Sequence, residues 1–280
     1  MNVLITGAAG QLGVDLTRTF ADHDVTGFDH RALDVSDRDQ VHQTIASVQP
    51  DVVVHAAAWT AVDACESDPD RAMAVNALGT RYVQSACRVV GARLAYVSTD
   101  YVFDGTLDRP YHEWDETNPQ SVYGRSKLGG EREVDPGGLI IRTSWVCSSH
   151  GSNMVRTVLS LAGEHPTLRF VDDQHGNPTF TPDLAEGIRR LVVGRHSGTF
   201  HVTNQGATTW FGLARDVLAA AGLDPQRVEP ISTTQLDPPR PAPRPPNSVL
   251  DNAALHLGGL PMLPDHHESL DRCVKEVLAS

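Results

Sequence analysis

Tyr123 and Lys127 lie four residues apart in the stretch SVYGRSK. On a helix, side chains at positions i and i+4 share one face, so the phenol and the ammonium could belong to one site. A lysine ammonium one turn away favours the phenolate, and we expect it to lower the pKa of the tyrosine from about 10. Such a pair suits proton donation to a carbonyl oxygen while a hydride arrives at the carbon. Taken alone, the spacing also fits a surface tyrosine beside a solvated lysine.

A hydroxyl group at the end of a nearby strand would complete such a site. The run RLAYVST has the composition of a buried strand and ends with Ser98 and Thr99. Either hydroxyl could polarise the carbonyl oxygen that the tyrosine protonates. A threonine, tyrosine and lysine together, downstream of a glycine-rich loop, favour the catalytic interpretation of Tyr123 over the surface one.

The glycine-rich loop has the sequence TGAAGQLG and follows the first predicted strand. Its glycines permit a tight turn and let backbone N–H groups approach a pyrophosphate. The N-terminus of the helix that begins there adds a partial positive charge. We therefore expect the loop to bind the phosphates of a nicotinamide dinucleotide. The predicted contacts in this loop are Gly7, Gly10, Gln11, Leu12 and Gly13.

Residues further along the chain are placed to bind the rest of such a cofactor. Asp29 closes the second predicted strand, where an acid can bind ribose hydroxyls, although a loop aspartate would look the same. Arg31 could instead pair with a 2′-phosphate, so the predicted cofactor is NADPH or NADH. The small residues of HAAAWT leave room for a cofactor or simply pack closely. The further predicted cofactor contacts are Asp34, Val35, Ala56, Ala57, Ala58, Thr60, Tyr123 and Lys127.

The first half of the chain alternates short apolar runs with amphipathic stretches, such as a strand at 51–57 and a helix at 69–90. Alternating β and α units predict a parallel sheet with helices on both faces. The predicted fold class is therefore α/β, a Rossmann-type doubly wound parallel sheet with a smaller C-terminal substrate-binding lobe.

The second half is less regular and contains the proline-rich stretch DPPRPAPRPP at 237–246. This stretch cannot be a helix or a central strand. It fits a stiff linker, a ligand for a partner domain, or an extended segment along a binding cleft. We place an NAD(P)-binding domain at 1–148, with returning segments near 167–173 and 198–204. A discontinuous substrate-binding lobe is predicted at 149–280.

Composition restricts the classes of function. The 280 residues include 35 acidic and 23 basic ones, a net charge of −12 that opposes nucleic-acid binding. The sequence shows neither a membrane-spanning apolar run nor a signal peptide, so no membrane association is expected. Four separated cysteines indicate reduced thiols and a cytoplasmic protein. The adjacent His266 and His267 are not helix-spaced and H-E-x-x-H is absent from the sequence, so we predict no metal site.

Longer motifs resemble one family within the extended short-chain dehydrogenases/reductases. STDYVFDG, VYGRSKLGGE, RTSWV and RPPNSVLD resemble the dTDP-4-dehydrorhamnose reductase family. The glycine spacing G-x-x-G-x-x-G and the Y-x-x-x-K pair belong to the whole superfamily, whereas STDYVFDG and RPxNS are specific. The resemblance implies NAD(P)H-dependent reduction of the C4 ketone of a dTDP-4-keto-6-deoxy-hexose, with dTDP-4-dehydro-L-rhamnose giving dTDP-L-rhamnose.

The same resemblance assigns roles to individual residues. The implied catalytic residues are Thr99, Tyr123 and Lys127. The implied substrate contacts are Thr99, Asp100, Trp145, Arg244 and Asn247. Cys147 departs from the tyrosine that is common in the family at that position. Some relatives bind magnesium at a dimer contact, so the resemblance allows a homodimer. Asp15 stands near one such position, but the sequence shows no full ligand set, and no metal is predicted.

Three other functions remain open from the sequence. A sister reductase could make another dTDP-deoxysugar, such as a streptose-type sugar, with the same catalytic pattern. A non-catalytic nucleotide-binding regulatory subunit would have no need of the acid–base pair. An epimerase or dehydratase of the superfamily would need further acid–base groups, and a dehydratase often has Asp-Glu where this chain has Asp100 and Tyr101.

Overall fold

The computed structural model of the chain describes residues 1–279. The strands are β1 (Asn2–Thr6), β2 (Asp24–Phe28), β3 (Val52–His55), β4 (Arg93–Thr99), β5 (Leu139–Thr143), β6 (Val146–Cys147), β7 (Leu168–Val171), β8 (His175–Gly176), β9 (Thr179–Phe180), β10 (Gly198–His201), β11 (Thr208–Thr209) and β12 (Val228–Ile231). The α-helices are α1 (Gln11–Thr19), α2 (Arg38–Val48), α3 (Val62–Ser67), α4 (Pro69–Met73), α5 (Gly79–Val90), α6 (Val122–Glu131), α7 (Met154–Glu164), α8 (Thr181–Val193), α9 (Trp210–Ala220), α10 (Ala253–Leu257) and α11 (His266–Ala279).

The central sheet has the order β10-β5-β4-β3-β1-β2, and all of its strand pairs are parallel. After β2 the chain passes over β1 to form β3, so the strand order reverses between β1 and β3. Open α/β sheets bind ligands in the crevice beyond the carboxyl ends of the strands at such a point. The predicted Rossmann-type α/β fold is therefore confirmed.

Two layers of helices cover this sheet. In β3, Val52 and Val54 face the layer of α1 and α8, while Val53 faces the layer of α2 and α5. Because successive side chains of a strand point to opposite faces, a strand covered on both sides must be apolar throughout. This double coverage explains the uninterrupted run VVV in the sequence.

A second, smaller core lies in the C-terminal lobe among α7, α9 and α11. The expected return of residues 167–173 to the first domain differs from the structure, because β7 pairs with β12 and not with the central sheet. Leu168 and Phe170 pack in the lobe core, whereas Arg169 is exposed. Residues 198–201 do join the central sheet, where β10 pairs with β5. The domain division at residue 148 stays a prediction.

The predicted helix at 69–90 is interrupted in the structure. A π-helical turn at Ala74–Leu78 separates α4 from α5. Such a turn inserts a residue into the helical repeat and changes the direction of the following side chains, often at functional sites. Here it turns the buried Asn76 toward the backbone of Trp59.

None of the helices within residues 1–279 combines the length and apolar character that crossing a membrane requires. Cys65, Cys87, Cys147 and Cys273 are buried free thiols.

Candidate active site

The glycine loop forms a cradle at the carboxyl end of β1. Gly7 has φ +72°, and a Cβ atom there would lie 2.8 Å from the backbone nitrogen of Ala57. A Cβ atom at Gly13 would lie 2.1 Å from the carbonyl oxygen of Gly7. Gly10 caps α1 without a side-chain hydrogen bond, so the N–H groups of the first turn stay available to a ligand. This arrangement fits the pyrophosphate of a dinucleotide.

Gln11 connects the start of α1 to the loop that follows β6. Its side-chain oxygen accepts hydrogen bonds from Ser148 and Asn153 at 2.9 and 3.0 Å, and its amide donates to the carbonyl of Ser152 at 3.0 Å. The side chain of Gln11 is therefore fixed by the protein. Gln11 and Leu12 both line the hollow that also contains Tyr123 and Lys127.

A cleft of about 700 Å³ extends from the glycine loop over the end of β2, and Asp29, Asp34 and Val35 lie in its wall. Asp29 Oδ1 accepts hydrogen bonds from the backbone N–H groups of Ala32 and Arg31 at 2.9 and 3.0 Å. These bonds hold the pKa of Asp29 below its ordinary value. Arg31 lines the same cleft, so an acid and a base both face the expected ribose position.

The segment after β3 forms the floor shared by the two parts of the cleft. Ala56 and Ala58 line both parts, Ala57 lines the first and Thr60 the second. Asn76 holds this segment from behind by accepting from the N–H of Trp59 at 2.8 Å and donating to its carbonyl at 3.1 Å. Sequence analysis did not single out Asn76, and a buried asparagine within a predicted helix was the available signal.

The predicted catalytic residues meet in an adjoining hollow of about 410 Å³. Thr99 comes from the end of β4, and Tyr123 and Lys127 come from one face of α6, which begins at a Ser121 cap. The hollow shares Gly7 with the larger cleft, so the two form one continuous site.

Burial, rather than the mutual influence of the pair, sets the protonation of Tyr123 and Lys127. Lys127 Nζ donates to the carbonyl of Val97 at 2.7 Å and lies 4.2 Å from the centre of the Tyr96 ring. Burial lowers the pKa of Lys127 to about 7. Burial also raises the pKa of Tyr123, with a hydrogen bond to Thr99 opposing the effect. The expected lowering of the tyrosine pKa by the lysine is therefore wrong for this arrangement, because the ammonium is directed to the backbone of β4.

Asp100 presents a buried carboxylate to the same hollow. Its Oδ1 accepts a hydrogen bond from Thr99 Oγ1 at 2.8 Å, while Oδ2 is buried without a hydrogen-bond partner among the described residues. Burial raises the pKa of Asp100 to about 6, against the hydrogen bonds from Ser248 and Thr99. A buried, unpaired acceptor of this kind can bind a substrate hydroxyl.

The choice between Ser98 and Thr99 follows from their partners. Ser98 donates to Glu131 at 2.6 Å, and Glu131 forms a buried ion pair with Arg142 at 2.7 Å. Ser98 is thus used to support α6 from β4, whereas the hydroxyl of Thr99 lies beside the carboxylate of Asp100 and the phenol of Tyr123.

Trp145 lines the same hollow and stacks on Trp210. Their ring centroids are 3.5 Å apart at an interplanar angle of 9°. Trp145 has φ +44°, a conformation that is costly for a bulky residue and that occurs often at functional sites. Trp210, the first residue of α9, also lines the hollow and was missed by sequence analysis. A single half-buried aromatic residue at the start of a helix carries no distinguishing sequence pattern.

Arg244 and Asn247 are held by the protein in this structure. Arg244 Nη2 donates to Asp63 Oδ2 at 2.8 Å, and Nη1 makes a second bond to the same carboxylate. Asn247 donates to the carbonyls of Leu107 and Arg109 at 2.8 and 2.9 Å. Neither Arg244 nor Asn247 is among the described residues that line the hollow. Arg244 does interact with Tyr101, a lining residue, so the proline-rich stretch supports the wall of the site.

Comparisons with known proteins find relatives over nearly the whole chain. Residues 1–279 match the family described as RmlD substrate binding domain. The chain is 45% identical over 268 residues to a dTDP-4-dehydrorhamnose reductase of Streptomyces griseus, covering 92% of this chain and 88% of that protein.

Solved structures agree with these sequence matches. The chain is similar to a dTDP-4-dehydrorhamnose reductase of Clostridium acetobutylicum, with a TM-score of 0.96, 38% identity and full coverage of both chains. It is also similar to the dTDP-4-dehydrorhamnose reductase of Bacillus anthracis in complex with NADP, with a TM-score of 0.93 and 37% identity, covering 99% of this chain and 100% of that one.

Proposed function

Because this chain belongs to the dTDP-4-dehydrorhamnose reductase family, we propose that it reduces the C4 ketone of dTDP-4-dehydro-L-rhamnose to give dTDP-L-rhamnose. The observation that carries the proposal is the meeting of Thr99, Tyr123 and Lys127 in one hollow that continues into the glycine-loop cleft. A regulatory subunit would need the cleft but not these three side chains.

The cleft fits NADPH or NADH. Gly7, Gly10 and Gly13 would admit the pyrophosphate, and Asp29 and Arg31 would meet the adenosine ribose. When bound, the reduced nicotinamide supplies the hydride for the ketone carbon. The relative that was solved with NADP supports this assignment.

Tyr123 serves as the proton donor in the proposed reaction. Since burial raises its pKa, the phenol stays protonated at neutral pH and can give its proton to the ketone oxygen. The hydroxyl of Thr99 donates to Asp100 in the structure and would turn to donate to the same ketone oxygen, which favours the developing negative charge. Lys127 Nζ donates to the carbonyl of Val97, and its remaining N–H groups are proposed to bind the ribose of the nicotinamide.

Asp100 and Trp145 are proposed to orient the sugar. The unpaired Oδ2 of Asp100 would accept a hydrogen bond from a sugar hydroxyl. The stacked rings of Trp145 and Trp210 offer an apolar surface for a sugar ring or its methyl group. Arg244 is proposed to hold Tyr101 in place at the edge of the site. Asn247 is proposed to hold the neighbouring loop through the carbonyls of Leu107 and Arg109.

The direct experiment follows the nicotinamide absorbance. The purified protein is mixed with NADPH or NADH and dTDP-4-dehydro-L-rhamnose, with dTDP alone as the control. We expect oxidation of the cofactor only with the ketosugar, and NMR of the product should show the rhamnose configuration at C4. Oxidation only with another dTDP-4-ketosugar would assign the chain to a sister reductase, and no oxidation with any ketosugar would refute the proposal.

The proposed place of this reaction is the cytoplasm. Buried free thiols at all four cysteines are the expected state of a protein in a reducing compartment. Cell fractionation should recover the protein with other cytoplasmic enzymes. Light scattering of the purified protein would test whether it forms the homodimer that the family resemblance allows.

A further inference from the structure

We propose that Asp216, His266 and His267 form a binding site for a divalent transition metal, best suited to Zn²⁺, at the contact between α9 and α11. The three side chains come together on the C-terminal lobe. Their ligand atoms all lie within 4.8 Å of one another. His267 Nε2 and Asp216 Oδ2 are 3.5 Å apart, close to the ligand separation of about 3.3 Å in a tetrahedral zinc site.

His266 gives the most specific indication of a ligand. The residue is 1% exposed, and its Nε2 is buried without a hydrogen-bond partner among the described residues. A buried nitrogen of this kind is costly unless something binds it. Its Nδ1 lies 3.1 Å from the carbonyl oxygen of Gln205, so Nδ1 carries the proton and Nε2 presents a lone pair.

The second histidine has the same arrangement. His267 Nδ1 lies 2.7 Å from a carboxylate oxygen of Asp265, which fixes the tautomer with a free lone pair on Nε2. A carbonyl or carboxylate behind each imidazole is the usual support of metal-binding histidines, because it orients the ring and increases its basicity. Both histidines therefore carry the outer partners that a metal site requires.

The ligand types select the metal. Two imidazole nitrogens and one carboxylate suit Zn²⁺ and related transition metals, whereas Mg²⁺ and Ca²⁺ prefer oxygen ligands. Sequence analysis predicted no metal because the adjacent histidines lack helical spacing. The fold supplies the third ligand, Asp216, from a helix about 50 residues earlier in the chain.

Metal binding would link α9 to α11 within the lobe. Asp216 lies on α9, six residues after Trp210, and the two histidines begin α11. The helices already pack through apolar residues such as Leu213 and Leu270. A metal bridging them would stabilise the folded lobe, because it binds the folded chain and not the unfolded one.

The test is calorimetric titration of the chelator-treated full chain with Zn²⁺ alone, with Mg²⁺ in a parallel titration. We expect one Zn²⁺ site with a dissociation constant below about 10 µM, and no comparable Mg²⁺ binding. His267→Ala and Asp216→Asn should each weaken that site at least tenfold. His256→Ala, which removes an exposed histidine outside the cluster, should leave the site unchanged.

Two further measurements keep the interpretation specific. Zn²⁺ should raise the thermal midpoint of the parent chain and of His256→Ala, but not that of His267→Ala. X-ray absorption of the zinc-bound chain should show nitrogen and oxygen ligands without sulfur. Absence of Zn²⁺ binding, or binding of equal strength in His267→Ala and Asp216→Asn, would overturn the proposal, as would sulfur ligation by a cysteine.

Discussion

At the scale of single residues, burial controls the chemistry of the hollow. Tyr123 and Lys127 are 8% and 3% exposed, so each favours its neutral form. For a proton donor, a raised pKa is useful because the phenol keeps its proton at neutral pH. Sequence analysis could pair the two residues by their spacing. It could not predict that the carbonyl of Val97 accepts a hydrogen bond from the ammonium, since this contact depends on how α6 packs on β4.

The titration of Lys127 tests this balance. Lys127 and Lys275 are the two lysines of the chain, so NMR of lysine-labelled protein gives two assignable signals. We expect Lys127 to lose its charge near pH 7, because burial lowers its pKa to about 7 from 10.5. Lys127→Met assigns the signal. Titration of Lys127 only near 10.5 would contradict the expected burial effect.

The same shift has a consequence for stability. Between pH 7 and 10.5 the unfolded chain binds the lysine proton that the folded chain has lost. The free energy of unfolding should therefore rise with pH across this window. Lys127→Met should remove that part of the rise, as measured by urea unfolding at several pH values. An identical pH dependence in the variant would show that Lys127 does not titrate there.

Asp29 tests the cofactor assignment at the residue scale. We expect the parent chain to use both cofactors with less than about a hundredfold preference, because Asp29 repels a 2′-phosphate and Arg31 attracts it. Asp29→Ala should move the ratio of kcat/KM values toward NADPH. Arg31→Ala, the matched control, should move it toward NADH. An unchanged ratio in both variants would place the ribose elsewhere.

At the scale of elements, most of the framework was predictable and several tertiary contacts were not. The alternation of apolar and amphipathic stretches predicted the parallel sheet of the first half, because a doubly covered sheet requires that pattern, but it did not predict the short helix α3. The π-helical turn at Ala74–Leu78 and the pairing of β7 with β12 left no clear sequence pattern. Likewise, the predicted substrate contact Arg244 is paired with Asp63, a partner 181 residues away.

The pair of Arg244 and Asp63 ties the proline-rich stretch to α3. Arg244→Ala should raise the KM for the dTDP-sugar at least about tenfold, or about 1.4 kcal/mol, by loosening the wall that contains Tyr101. Cofactor binding should hardly change. Steady-state kinetics with each substrate varied in turn provide the measurement.

Arg240 provides the control for this experiment. It lies 3.5 Å from the same carboxylate but its side chain is 60% exposed, so Arg240→Ala should have little effect. Equal sugar KM values for Arg244→Ala and the parent chain would instead support the interpretation of the proline-rich stretch as a linker.

At the scale of the whole molecule, the hollow is lined by residues of the central sheet and by Trp210 of the second core. Trp145 follows the central sheet and Trp210 begins a helix of the lobe, so their stack joins the two. The glycine loop and the proposed catalytic residues were predictable because short motifs carry them. Trp210 and Asn76 were not, because their roles depend on contacts between distant segments.

The buried ion pair of Glu131 and Arg142 links the sheet to α6. Arg142→Met should lower the free energy of unfolding by about 3–5 kcal/mol, because it leaves a buried carboxylate unpaired. Arg88→Met breaks the more exposed pair with Asp135 and should lower the free energy of unfolding far less. Urea unfolding provides both values. Similar losses for the two variants would mean that the buried pair has no special role in stability.

The most direct test of the proposed reaction is a single-turnover measurement on Tyr123→Phe with saturating NADPH and dTDP-4-dehydro-L-rhamnose. The variant keeps the aromatic ring and removes the hydroxyl. We predict a loss of about 10²–10⁴ in the rate of cofactor oxidation, because the general acid is missing, with NADPH affinity nearly unchanged. A Tyr123→Phe variant that oxidises NADPH at the rate of the parent chain would contradict the assignment of Tyr123 as the proton donor.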